Sequence, residues 1–109
     1  MSNYLSPGQS LVPNAPLVSE SGAYQVILQD DGNFVLYQND GYKPLWATNT
    51  VGKGGVVVTF QTDGNFVMYT ADDEAVWATQ TMGKHGMIVI MQDDGNLVMY
   101  PTAVWATGT

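Results

Sequence analysis

Glutamine, aspartate, asparagine and tyrosine recur together three times in this chain, at constant offsets. The segments are Gln29-Asp30-Asp31-Gly32-Asn33-Phe34-Val35-Leu36-Tyr37, Gln61-Thr62-Asp63-Gly64-Asn65-Phe66-Val67-Met68-Tyr69 and Gln92-Asp93-Asp94-Gly95-Asn96-Leu97-Val98-Met99-Tyr100. Each reads Q-x-D-G-N-[FL]-V-[LM]-Y, and the leading glutamines lie 32 and then 31 positions apart. On a strand, Asn, Val and Tyr of one copy leave the same face, while the residues between them point the other way. The glutamine ends the preceding strand across a turn that carries the aspartate. Each copy therefore gathers a carboxylate, two amides and a phenolic hydroxyl around a valine. Such a patch brings no cation. Its complement is a neutral molecule with adjacent hydroxyls and an apolar C–H edge, which is the description of a sugar. Turn formation alone accounts for Asp, Gly and Asn, because Asp and Asn bond their own backbone in turns. It does not account for Gln and Tyr returning at fixed offsets.

Other chemistries fit less well. Asp30/Asp31 and Asp93/Asp94 are paired carboxylates, but neighbours on a turn do not face each other across a scissile bond as glycosidase carboxylates do. The second copy replaces the first of the pair with Thr62. His85 lies in a glycine-rich connector with no nucleophile pattern beside it and reads as a solvated loop residue. The acidic turns lack the D-x-[DN]-x-[DN]-G spacing and closing glutamate of a calcium loop. Asp72-Asp73-Glu74 reads as a solvated run between strands. The expectation is a protein that is not an enzyme, with no cofactor and no metal.

The elements that must hold these patches are strands. Apolar residues fall two apart before each glutamine: Tyr24, Val26 and Leu28; Val56, Val58 and Phe60; Met87, Val89 and Met91. That is the period of a strand with one buried face. The D-G pair predicts a hairpin turn, with the next strand beginning at Asn33, Asn65 or Asn96. A second signature supplies a third strand per unit: Leu45-Trp46-Ala47-Thr48-Asn49-Thr50, Val76-Trp77-Ala78-Thr79-Gln80-Thr81 and Val104-Trp105-Ala106-Thr107-Gly108-Thr109. The loops between tyrosine and tryptophan differ in length. Pro7, Pro13 and Pro16 make the leader less regular, with an edge strand or loop over its Leu11–Leu17 part. One unit cannot bury its apolar face alone, so the three close on one another, with Trp46, Trp77 and Trp105 meeting near the axis as core. A single domain over 1–109 is expected.

Composition narrows the partners. Lys43, Lys53 and Lys84 face ten acidic residues, for a net charge of −7, and arginine is absent. Phosphate neutralisation by Lys and Arg is the basis of nucleic-acid binding, so that class is excluded, and anionic membranes are disfavoured for the same reason. No window approaches the ~20 apolar residues that span a bilayer. Met1-Ser2-Asn3-Tyr4-Leu5 carries no signal-peptide pattern, and cysteine is absent. A cytoplasmic or non-classically secreted protein is therefore expected, or a secreted one if the chain is a mature form.

The triple Q-x-D-x-N-x-V-x-Y motif followed by the W-A-T strand resembles the monocot (snowdrop or bulb-type) mannose-binding lectins. The likeness runs from Tyr4-Leu5-Ser6-Pro7-Gly8 to the terminal Trp105-Ala106-Thr107-Gly108-Thr109. It implies an all-β, β-prism II fold, with three four-stranded antiparallel sheets around a pseudo-threefold axis. It implies three mannose sites: Gln29, Asp31, Asn33, Val35 and Tyr37; Gln61, Asp63, Asn65, Val67 and Tyr69; Gln92, Asp94, Asn96, Val98 and Tyr100. Within each, Asp and Asn would hold the axial 2-hydroxyl, Gln the 3-hydroxyl and Tyr the 4-hydroxyl, with Val against the carbon edge. Implied partners are mannose-rich glycans and glycoproteins, and a second copy in a homodimer formed by C-terminal strand exchange. Haemagglutination, glycan cross-linking and defence are the implied roles. The alternative is a structural or protein-interaction β-prism module whose sugar binding has degenerated. Plant members carry a disulfide between the first motif and the next strand; Gly32 and Val56 stand in those places here, so this is a cysteine-free relative.

Overall fold

The computed structural model describes residues 3–83 and 87–101, without the side chains of Met87 and Pro101. The backbone runs as β1 (Tyr4–Leu5), β2 (Ser10–Leu11), β3 (Leu17–Val18), β4 (Tyr24–Leu28), β5 (Phe34–Gln38), a 3-10 turn (Asp40–Tyr42) and β6 (Lys43–Ala47). It continues as β7 (Gly55–Phe60), β8 (Phe66–Thr70), β9 (Ala75–Ala78), β10 (Met87–Met91) and β11 (Leu97–Pro101). These strands make antiparallel sheets ordered β3-β4-β5-β6, β2-β7-β8-β9 and β1-β10-β11. The fold is the expected all-β prism. The fourth strand of the last sheet was expected at 104–109, which lies outside the described residues, as do Trp105 and His85.

The leader is more ordered than its prolines suggest. Instead of one edge strand or loop, it gives one short edge strand to every sheet, pairing β1 with β10, β2 with β7 and β3 with β4. Leu5, Leu11 and Leu17, one from each, are buried in the common core. The leader thereby ties together three repeats that have no covalent cross-link.

The period-two pattern delivers that core. Val26, Leu28, Phe34 and Leu36, then Val58, Phe60, Phe66 and Met68, then Val89 and Met91 face inward. Phe34 and Phe66 meet edge-on with centroids 5.8 Å apart, near the geometry aromatic pairs prefer. Val56, expected inside, is 41% exposed, because a bulge between Gly55 and Val57 shifts the strand at that point. Trp46 and Trp77 do approach each other, at 5.9 Å, and both flank Phe34. Trp77 is partly buried against the core, however, whereas Trp46 remains 42% exposed.

Near where the family's disulfide would sit, hydrogen bonds join the first motif to the connector that leads into β7. Gly52 N donates to Asp31 O at 3.1 Å and Thr50 Oγ1 to Gly32 O at 2.7 Å. Gly32 has φ +85°, which glycine adopts freely, and a Cβ there would come within 3.3 Å of Thr50 O.

Candidate sugar-binding sites

Each hairpin is closed the same way. Gln29 N donates to Asn33 O at 2.9 Å and Gly32 N to Gln29 O at 3.0 Å, and both bonds recur in the other two copies. This is a three-residue hairpin loop ending in a left-handed glycine, longer than the two-residue turn that a D-G pair most directly suggests. The strand starts one residue later than expected, at Phe34, Phe66 or Leu97. The preceding asparagine instead donates its backbone N–H to the motif aspartate, at 2.9, 2.9 and 3.0 Å in the three copies. Aspartate thus shapes the loop and keeps its remaining lone pairs for a ligand.

The glutamine, tyrosine and aspartate of one copy form a relay. In the first, with the Gln29 amide oriented so that both of its atoms find partners, the Tyr37 hydroxyl donates to Oε1 and Nε2 faces both Asp31 oxygens at 3.2 Å. In the second, Tyr69, Gln61 and Asp63 repeat this, again at 3.2 Å. In the third, Gln92 Nε2 donates to the Tyr100 hydroxyl at 2.6 Å. Val35 and Val67 are 3% and 2% exposed, so valine is a floor beneath the polar groups and not an open apolar patch.

The asparagine is held by residues whose part was not visible in the motif. Asn33 Oδ1 accepts from Thr48 Oγ1 at 3.3 Å and from Thr50 N at 3.2 Å. Asn65 Oδ1 accepts from Thr79 Oγ1 and Thr81 N at the same two distances, 3.3 and 3.2 Å. The two threonine hydroxyls of each pair bond each other at 2.8 Å. Thr81 Oγ1 closes the second network on Gly64 O at 2.6 Å. With its oxygen used inward, the asparagine can present only Nδ2, a donor, to the surface. The Thr-x-Thr that follows β6 and β9 therefore belongs to the same polar network. Its recurrence beside each motif was the available signal. In the third copy Asn96 Nδ2 donates to Asp94 Oδ2 at 3.4 Å; the corresponding Thr107 and Thr109 lie outside the described residues.

The first residue of each Asp pair has separate work. Asp30 Oδ1 accepts from Asn14 Nδ2 at 3.0 Å, and Asp93 Oδ1 accepts from Ser21 N at 2.8 Å. Both fasten the leader. The pairs are not twin carboxylates facing one substrate.

No family model matches the chain. Among characterised proteins it is 43% identical over 54 residues to the B-type lectin plumieribetin of Scorpaena plumieri, covering 50% of this chain and 45% of that one. It is 48% identical over 50 residues to a mannose-specific lectin of Narcissus pseudonarcissus, covering 46% and 42%. The chain thus spans less than half the length of these curated relatives. Among solved structures, the mannose-specific agglutinin of snowdrop (Galanthus nivalis), complexed with methyl-α-D-mannoside, superposes with a TM-score of 0.85. Identity there is 42%, over 99% of this chain and 97% of that one. With the β-prism architecture, the triplicated patch and near full-length identity at that level, the chain belongs to the bulb-type mannose-binding lectin family.

Proposed function

We propose that the chain is a non-enzymatic, metal-independent lectin that binds α-D-mannose and high-mannose glycans through its three Q-x-D-x-N-x-V-x-Y patches. The observation that carries this reading is the alternation of donors and acceptors around the described first and second patches. Asparagine offers Nδ2, aspartate its free lone pairs, glutamine its remaining Nε2 hydrogen and tyrosine its oxygen lone pair. A run of adjacent hydroxyls, each both donor and acceptor, matches that order. An axial 2-hydroxyl would bridge Asp and Asn, the 3-hydroxyl would meet Gln, and the 4-hydroxyl Tyr. Glucose, with its 2-hydroxyl equatorial, would leave the Asp–Asn pair unmatched, at about 1–3 kcal/mol.

Titration calorimetry with methyl-α-mannoside in EDTA, against glucose and galactose, tests this. Three equivalents per chain with mannose preferred by about tenfold or more is the expected result. No heat with mannoside or with a branched mannan sinks the reading. Each shallow site alone should bind near the millimolar range, about 4 kcal/mol, with useful strength coming from several sites engaging one branched glycan.

A homodimer belongs to the same proposal. Exposed Leu45 and Trp46 border an apolar cleft of about 470 Å³, shared with Trp77, Leu97 and Met99 beside β11. That surface suits a strand supplied by a second copy. Light scattering coupled to size exclusion should give twice the 11.8 kDa chain mass.

A further inference from the structure

The loop leaving the first patch differs in kind from the loop leaving the second. Four residues before the tryptophan, each chain segment takes a left-handed backbone: φ is +50° at Tyr42 and +62° at Asp73. Aspartate and asparagine tolerate that conformation, whereas a bulky aromatic there is an outlier. Core packing does not explain the tyrosine, whose side chain lies outside the core and is 70% exposed. Its ring instead stands beside Tyr37, with centroids 6.4 Å apart and planes at 83°. The corresponding stretch of the second repeat offers Asp72, Asp73 and Glu74, all exposed carboxylates with no apolar face.

We infer that Tyr42 extends the first patch into a second subsite, which takes the apolar face of an adjoining sugar residue in an oligosaccharide. The inference rests on the mannose-binding reading above, since the terminal hexose must sit on Gln29, Asp31, Asn33 and Tyr37. The chemistry is that of an aromatic face against the C–H face of a pyranose. A tyrosine supplies rigid contact area with only two side-chain torsions to immobilise. Strained backbone persists where the surrounding structure holds it, and such residues cluster at ligand-binding positions. The Tyr37 contact places this one against the first patch. The first site is thereby selective for chain length, while the second is not.

The test uses the full chain labelled with 15N. Side-chain amide signals of Gln29 and Asn33 report on the first site, and those of Gln61 and Asn65 on the second. Both are titrated with methyl-α-mannoside and with a linear mannotriose. At the first site the triose should gain about five- to tenfold over the monosaccharide, and at the second site little. Tyr42→Asn, which suits the left-handed backbone, should bring the first-site ratio down to that of the second site while leaving monosaccharide affinity unchanged. Tyr42→Trp should keep or raise the ratio. An unchanged ratio in Tyr42→Asn overturns the inference. So does an equal loss for both ligands, which would mean that Tyr42 merely props Tyr37. If no amide signal of either site moves with methyl-α-mannoside, the mannose reading itself falls and takes this subsite with it.

Discussion

Asn33 and Asn65 accept the same pair of bonds from a Thr-x-Thr segment, and Asp31 and Asp63 brace them alike at 2.9 Å. Their mountings differ. Asn65 is 7% exposed with Asp63 half-buried, whereas Asn33 is half-buried above an exposed Asp31. The first patch is also clasped by Asn14 through Asp30 and overlooked by Tyr42. The second has Thr62 and Asp73 in those places. What stays constant comes from inside each repeat, the turn and its Thr-x-Thr segment. What varies comes from the leader and the intervening loop. The polar patch is therefore duplicated, while its burial and surroundings are set separately.

The sharpest way to break this equivalence is to delete the asparagines. Asn33→Ala and Asn65→Ala should each remove one binding equivalent from the calorimetric stoichiometry. Their stability effects should separate. In Asn65→Ala, Thr81 N and the Thr79 hydroxyl lose their acceptor at a buried position, costing about 1–3 kcal/mol. Asn33→Ala should cost less, because Asn33 is itself half-buried and its removal opens the site to water, although the Thr50 it abandons is only 3% exposed. Equal destabilisation in urea titrations would show that burial is not what distinguishes the two mountings.

A smaller effect should follow from the threonines. Thr79→Val keeps the shape but removes the hydroxyl that bonds Asn65 Oδ1 and accepts from Phe66 N at 3.2 Å. The asparagine oxygen is then held by Thr81 N alone, and the amide turns outward more readily. Affinity at the second site should drop about fivefold, the worth of one hydrogen bond near 1 kcal/mol, with the first site untouched. Thr79→Ser should restore it. Thr48→Val should mirror this at the first site. A purely structural role would instead lower unfolding stability without changing either site's affinity.

The patches themselves were legible because they are local. Gln, Asp, Asn and Tyr lie within nine residues, and strand alternation fixes which of them share a face. The threonine clamp was not legible from any one segment, since Thr48 and Thr50 reach Asn33 from 15 and 17 residues away and only the sheet register brings them there. The leader misled for a related reason. Its prolines argue against long strands, yet two-residue edge strands escape that rule and still bury a leucine apiece. Val56 was misplaced because a bulge breaks the alternation from which its burial was inferred. Trp46 and Trp77 occupy equivalent sequence positions, but no repeat pattern records that only one of them is covered.

The smallest effect expected is at the Asn14–Asp30 clasp of the first repeat. Asn14 has φ +66° and donates to Asp30 at 3.0 Å in an exposed setting. Asn14→Gly retains the backbone conformation and removes only the side-chain bond, so about 0.5–1 kcal/mol of stability should be lost. Asp30→Ala should cost a similar amount. Neither should alter sugar affinity, because Asp31, not Asp30, braces Asn33 and meets Gln29. Asp93→Ala, which frees Ser21 N, should likewise spare the third site's affinity. Loss of first-site binding in Asp30→Ala would contradict this division of labour. The doubled carboxylates would then act as a functional pair, and Thr62 would mark the second patch as the weaker one.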